Sequence, residues 1–288
     1  MRRYYLILFL LLFACRNHPV EKLIIKGSDT EINLVMAEAE SFMEKDSAVS
    51  ISITGGGSGI GITALFNKRC NIALSSRPLN PYEEALAMRR GIYINATIFA
   101  KDAIAIIVNP QVEVKSISLS QLAKIFSGEI TNWNQLGGHD GEISLYGRQS
   151  SSGTYNFLKD NVMTSDFAPG VKQLSGTGQI VEAIKQDKNG IGYVGIGYIV
   201  DQTGKPNREV KILSLQPTDT SAAISPLSKL DIYSGRYPLT RPLYQFTIGK
   251  PTGKVKEFID FQLSAAGQKI IEENGFFSIK PQQQAILQ

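Results

Sequence analysis

Histidine and cysteine occur twice each in the 288 residues, and tryptophan once. Each scarcity removes a class of chemistry. A Ser–His–acid hydrolase needs an imidazole held beside its serine. His18 lies in a polar stretch near the N-terminus and His139 in a Gly-rich loop, and neither pattern fixes a ring beside a serine. Zinc sites need several His, Cys or acidic ligands at short spacing, and the scattered residues give no such cluster. The expectation is therefore a protein that is not an enzyme and carries no metal and no cofactor. Two cysteines allow one disulfide at most, so the fold must rest on its core, which this length permits. No apolar run reaches the roughly 18 residues of a membrane-spanning helix. The formal charge of +4 is too small a bias to imply nucleic acid, and no DNA- or RNA-binding motif appears. Twelve prolines and 26 glycines are spread out, so no long disordered linker is signalled. Hydrophobic content of 43% with 19% charge is ordinary for a globular chain of one or two domains.

What is present begins with Met1-Arg2-Arg3 and the apolar run Tyr4–Ala14, the pattern of a secretory signal. The run ends in Leu12-Phe13-Ala14-Cys15, which resembles the lipobox of bacterial lipoproteins. That resemblance implies cleavage before Cys15 and lipid on it, with residues 1–14 as the signal peptide and 15–22 as a tether. Loss of Arg2 and Arg3 lowers the charge from +4 to +2, so any preference for anions must come from a local site. Cys70 is then unpaired and reads as a buried small hydrophobe.

Strand, polar turn and helix recur three times after the tether. Leu23–Ile25 leads into Gly27-Ser28-Asp29-Thr30 and a helix carrying Ile32, Val35, Ala39 and Phe42. Val49–Thr54 alternates as a strand and leads into Gly55–Gly61, then the helical Ile62–Lys68. Ile72–Leu74 leads into Ser75-Ser76-Arg77-Pro78, and Asn80–Arg90 is again helical. This alternation predicts an α/β fold with a mostly parallel sheet flanked by helices, and places all three polar turns at carboxyl ends of strands, where such folds bind ligands. Ala103–Val108 reads as a strand crossing to a second unit, Ser120–Phe126 as a short helix, Trp133 as part of a surface segment, and Tyr237–Tyr244 as the return crossover. Val255–Glu273 reads as one long amphipathic helix stopped at Asn274-Gly275.

A fourth turn, Gly147–Thr154, reads GRQSSSGT between the strand-like Glu142–Tyr146 and the helical Tyr155–Lys159. Ser150, Ser151, Ser152 and Thr154 suit an N-cap or first turn. The positive end of a helix with unpaired N–H groups is an anion site. Arg148 adds a planar cationic fork, and Gly153 allows a ligand to approach the backbone. The Gly55–Gly61 loop has no Gly-x-Gly-x-x-Gly register and no Walker lysine, so a backbone nest around a small anion is its functional reading, with Ser58 either a donor or a helix cap.

The motifs GSDT (27–30), TGGGSGIG (54–61), SSRP (75–78), GRQSSSGT (147–154), GIGYVGIGY (190–198) and YPLTRPLY (237–244) resemble those of the phosphate-binding lipoproteins of phosphate ABC transporters, the PstS family of the type II periplasmic-binding-protein superfamily. The resemblance implies a two-lobed fold joined by two hinge crossovers: residues 21–107 and 239–288 in one lobe, 108–238 in the other. It implies capture of inorganic phosphate in the cleft and delivery to permease and ATPase subunits, by an extracytoplasmic monomer that Cys15 anchors to a bacterial membrane. Carried over by motif, the phosphate ligands are Ser28, Asp29, Thr30, Ser58, Ser76 and Arg77 from the first lobe, and Arg148, Ser152, Gly153 and Thr154 from the second.

Two departures bear on selectivity. The better-known form of the family has an aspartate at the place of Ser76, where it accepts the phosphate proton and so disfavours sulfate, and another at the place of Ser150. Arg77 has no counterpart there. The proton acceptor must be sought elsewhere: Asp29 is the first candidate, with a plain first-turn acid as the alternative, and Asp102 the second, with a hinge salt bridge as the alternative. Sulfate, molybdate and a role as a surface phosphate sensor stay open.

Overall fold

The computed structural model describes residues 20–201 and 205–279. The expected signal segment, Cys15 and the tether up to residue 19 lie outside the described residues. In chain order the elements are β1 (Glu21–Gly27), α1 (Ile32–Lys45), β2 (Val49–Thr54), α2 (Ser58–Phe66), β3 (Ile72–Ser75), α3 (Pro81–Arg89), β4 (Ile94–Val108), β5 (Ser116–Ser118), α4 (Leu119–Ser127), β6 (Ser144–Arg148), α5 (Gly153–Asn161), β7 (Lys172–Leu174), α6 (Thr177–Gln186), β8 (Gly190–Gly195), β9 (Lys211–Gln216), α7 (Lys229–Tyr233), β10 (Thr240–Ile248), α8 (Gly253–Leu263) and α9 (Ala265–Glu273).

The strands run β2-β1-β3-β10-β4-β8-β6-β7, with β9 on β4 and β5 on β9. β1 pairs in parallel with β2 and β3, and β6 with β7 and β8. β10 runs antiparallel to β3 and β4. β4 belongs to both halves: its residues 94–103 face β10, whereas 104–108 face β8 and β9. Ala103–Val108 is buried on every residue, as a strand covered on both faces must be. Apolar packing follows the same division. One core gathers Ala103–Val108 with residues from Val112 to Leu239 and Phe277. Two others gather Leu23, Phe42, Leu243 and Phe258, and Ile62, Phe66, Ala73 and Phe246, with their neighbours.

Local chemistry sets the helix starts. Asn80 and Glu83 form a reciprocal capping box at α3, with Pro81 in its first turn, and Ser118 with Gln121 does the same at α4. Three expectations are corrected. Val255–Glu273 is two helices: Ser264 is extended between them and caps α9 through the N–H of Gly267. Phe258, Ile259 and Ile271 are buried on both sides of the break, so the hydrophobic period runs through it. Trp133 is not a surface residue: it is fully buried and donates its indole N–H to the Asn189 carbonyl. In the turn around it, the Asn132 side chain accepts the N–H groups of Asn134 and Gly141. Finally, β4 starts nine residues before Ala103, because Ile94–Ile98 is half-buried and mixed in polarity and shows no apolar run.

Candidate functional site

Four strand-to-helix turns meet at one place. Gly27 ends β1 at φ +142°, and a side chain there would overlap the Leu74 backbone, so the turn lies against the end of β3. The Ser28 N–H donates to the Leu74 carbonyl, and Ser28 and Thr30 are buried. Gly57, at φ +101°, donates its N–H to the Gly27 carbonyl and sets the start of α2 at Ser58. Across from them, Ser152 caps α5 and accepts the N–H groups of Thr154 and Tyr155. The positive ends of α1, α2 and α5 thus face one another.

Their side chains converge. The Thr30 and Thr154 hydroxyls share a 3.0 Å hydrogen bond. The Ser58 Oγ accepts the Ser76 N–H at 3.2 Å. A β-carbon added to Gly153 would lie 2.5 Å from the Ser76 Oγ and closer still to the Ser58 Oγ, so these hydroxyls stand directly against the α5 backbone. Arg241, from β10, is buried and reaches three groups. Its Nη2 donates to the Thr30 and Thr154 hydroxyls at 3.2 and 3.0 Å, and its Nε and Nη2 hold the Asp102 carboxylate at 3.0 and 2.8 Å. Its Nη1 and the Ser76 Oγ are buried with no hydrogen-bond partner. Unpaired buried donors of this kind cost about 1–3 kcal/mol each, and an oxyanion seated among them would satisfy both.

The remaining predicted residues are placed differently. Arg148 donates from Nε to the Leu174 carbonyl, from Nη1 to Thr177, and from Nη2 to the Ser175 carbonyl and to Asp29 at 2.5 Å. Only one of its five N–H groups is left for a ligand. Asp29 in turn accepts the Gly56 N–H. Arg77 turns away toward α3, where Glu83 takes both ends of its fork and the Pro78 carbonyl takes another N–H. Asp102 is the partner of Arg241 and also accepts the Ile196 N–H. Burial raises its carboxyl above the ordinary value, while Arg241 and the Ile196 and Ala103 amides pull it back down.

Further contacts close the cleft from the two sides. Gly59 donates its N–H to the Ser151 carbonyl, the Ser151 hydroxyl donates to the Gly56 carbonyl, and the Tyr198 hydroxyl donates to the Asp29 carbonyl. Arg241 and Tyr198 escaped the sequence reading, and Ser151 entered it only as a cap or first-turn residue. Arg241 had a signal: an arginine inside an apolar strand must be buried with a partner. Ser151 and Tyr198 had none, because their contacts exist only once the cleft is shut.

A family model described as a PBP superfamily domain matches residues 16–266. The phosphate-binding protein PstS of Borreliella burgdorferi is 32% identical over 294 residues, covering 97% of this chain and all of that one. PstS of Bacillus subtilis is 32% identical over 262 residues, 89% of this chain and 80% of its own. The chain belongs to the PstS family of phosphate-binding proteins. Among solved structures, a Clostridium perfringens protein assigned as the substrate-binding protein of a phosphate ABC transporter, with phosphate bound, matches this PstS-family chain with TM-score 0.80 and 28% identity, over 90% of this chain and 100% of that one. An ABC-type phosphate transport receptor of Vibrio cholerae matches with TM-score 0.69 and 26% identity, over 89% and 100%. The fold is thus the type II periplasmic-binding-protein architecture, and the PstS family is one of solute-binding proteins rather than enzymes. No helix among the described residues is long and apolar enough to cross a membrane.

Proposed function

We propose that this chain captures inorganic phosphate in the cleft and delivers it to the permease and ATPase subunits of an ABC transporter, binding the anion without chemical change. The observation that carries this is the meeting of three helix N-termini, the Thr30, Ser58, Ser76, Ser152 and Thr154 hydroxyls and Gly153 around Arg241, with Nη1 of Arg241 and Oγ of Ser76 unpaired. Ser28 and the remaining N–H of Arg148 complete the donor set, Asp29 holds Arg148, and Arg77 supports the third turn from behind through Glu83. The lobes divide within β4 at Ala103/Ile104, a few residues before the boundary at 107 expected from sequence, and again just before β10 near Leu239. Asp102 and Arg241 stand at that division. The chain works outside the cytoplasm as a monomer held to a membrane by lipid on Cys15.

A second reading, capture of tetrahedral oxyanions more broadly, is favoured by one observation: both candidate proton acceptors, Asp29 and Asp102, are engaged by arginines. Isothermal titration of a soluble form beginning after Cys15 with phosphate, sulfate and molybdate decides between them. Phosphate alone should give tight, saturable heat. Comparable sulfate or molybdate binding supports the broader reading, and no phosphate binding refutes both.

A further inference from the structure

β2 stands at one end of the strand order and pairs only with β1. Its residues Val49-Ser50-Ile51-Ser52-Ile53-Thr54 include no proline and no charge, and all but the serines are β-branched. Edge strands are ordinarily guarded by shortness, charge or proline against pairing with a further chain. β7, at the other end of the order, has that protection: it spans three residues and begins with Lys172. β2 spans six and has none of it.

The register shows which of its groups are open. The Glu21 N–H donates to the Ala48 carbonyl, and Glu21 lies level with Val49. In a parallel ladder this turns the N–H and C=O groups of Ser50 and Ser52 toward β1, and those of Val49, Ile51 and Ile53 outward. Among the described residues, the outward Ile51 N–H meets the Met43 thioether at 3.3 Å, a weak acceptor, and the other outward groups have no hydrogen-bond partner. The Val49, Ile51 and Ile53 side chains belong to the core under α1, whereas Ser50, Ser52 and Thr54 are exposed on the opposite face. Met43 therefore lies at the open edge. Met36, two helical turns earlier, shares its side of α1 and is 45% exposed.

The strand is self-complementary. Turned about a two-fold axis through Ile51, a second β2 lies antiparallel to the first. Ile51 then opposes Ile51 and Val49 opposes Ile53, and these are the residues whose backbone groups point outward. Ser50 opposes Ser52 on the exposed face, so apolar meets apolar, hydroxyl meets hydroxyl and no charge is buried. We propose that β2 is an interface for a second copy of this chain, joined edge to edge in an antiparallel pair centred on Ile51. Met43 gives up the Ile51 N–H as the strand arrives, and with Met36 it covers the α1 side of the seam; unbranched thioethers adapt to such a surface. Each cleft stays within one chain, so capture needs no second copy, and the inference stands independently of the phosphate reading. One short strand and one helix side are small beside the roughly 1,200 Å² of a stable complex, so the pairing is weak, with Kd about 0.1–1 mM. Confinement to one membrane, as proposed above, supplies the concentration that such a contact needs.

Sedimentation equilibrium of the soluble form beginning after Cys15, from about 10 μM to about 1 mM, tests this. The mass of the parent chain should rise from that of a monomer toward twice that value. Ser50→Lys with Ser52→Lys sets like charges against each other across the axis, on a face where they are exposed. That protein should melt with the parent and stay monomeric throughout. Ser50→Glu with Ser52→Lys sets opposite charges against each other across the same axis, and should pair at least as tightly as the parent. A parent chain that stays monomeric over the whole range, association that survives the two lysines, or a Glu–Lys protein no more associated than the Lys–Lys one overturns the proposal.

Discussion

Gly153→Ala tests the site with one carbon. The added methyl would sit 2.5 Å from the Ser76 Oγ and nearer still to the Ser58 Oγ. Relaxed contact between such atoms needs about 3.5 Å, so each hydroxyl must retreat by about 1 Å. Both serines stand across the cleft from α5, so the strain is relieved by the two sides moving apart. A hydrogen bond from a hydroxyl to a bound anion contributes about 1.5–3 kcal/mol, and losing two gives about 3–6 kcal/mol. That is a weakening of phosphate binding by about two to four powers of ten. Folding should not suffer, because alanine is a better helix former than glycine by up to about 1 kcal/mol. The assay pairs titration calorimetry with a thermal melt. A variant that melts at or above the parent temperature and binds phosphate within about threefold of it would refute the convergence of α5 with Ser58 and Ser76 as the binding site.

Three further outcomes follow from the same contacts. Arg241→Lys keeps the charge but cannot hold Asp102, Thr30 and Thr154 at once, so phosphate affinity should fall about 10–100-fold by calorimetry, the worth of one or two charged hydrogen bonds; unchanged affinity would remove Arg241 from the site. Arg148→Ala strands Asp29 in a part-buried position and should cost about 3–5 kcal/mol in urea unfolding, with Asp29→Asn in the same chain restoring part of it; a loss under about 1 kcal/mol would mean the pair is not formed in solution. Glu38 is buried and its carboxyl is pushed up to about 8 by burial, with Gln262 opposing. Its folded value lies above its unfolded one, so its contribution is complete below about pH 4.5 and is lost as the pH rises through about 8, at up to ~1.4 kcal/mol per pH unit. Glu38→Gln should flatten the fall in urea stability between pH 5 and pH 8, and identical slopes in the two chains would show that Glu38 does not titrate there.

The fold was legible where one rule spoke clearly. The first three strand–turn–helix units each join an apolar or alternating strand, a Gly/Ser turn and a helix at expected spacing, and each appears within a few residues of its expected place. The break at Ser264 was hidden because α8 and α9 bury their apolar residues on the same side, so periodicity sees one helix. Trp133 was misplaced because its neighbours Thr131, Asn134 and Gln135 are exposed, so the segment reads as surface while its indole alone is buried and bonded to Asn189. At the candidate site, the donors lying on short turns could be named one by one. What a motif cannot carry is the pairing of charges: whether Arg148 faces a ligand or Asp29, and whether Arg77 faces the cleft or Glu83, is decided by residues far away in sequence.

The cleft is shut by the protein's own bonds as well as by anything it encloses. Gly59 to Ser151, Ser151 to Gly56, Tyr198 to Asp29 and Asp29 to Arg148 all run directly from one side to the other. An enclosed anion has no exit until they break. Its dwell time is then a property of the gate rather than of the guest: phosphate and a close analogue that closes the cleft equally well would leave at one common rate, and would differ only in how readily they enter.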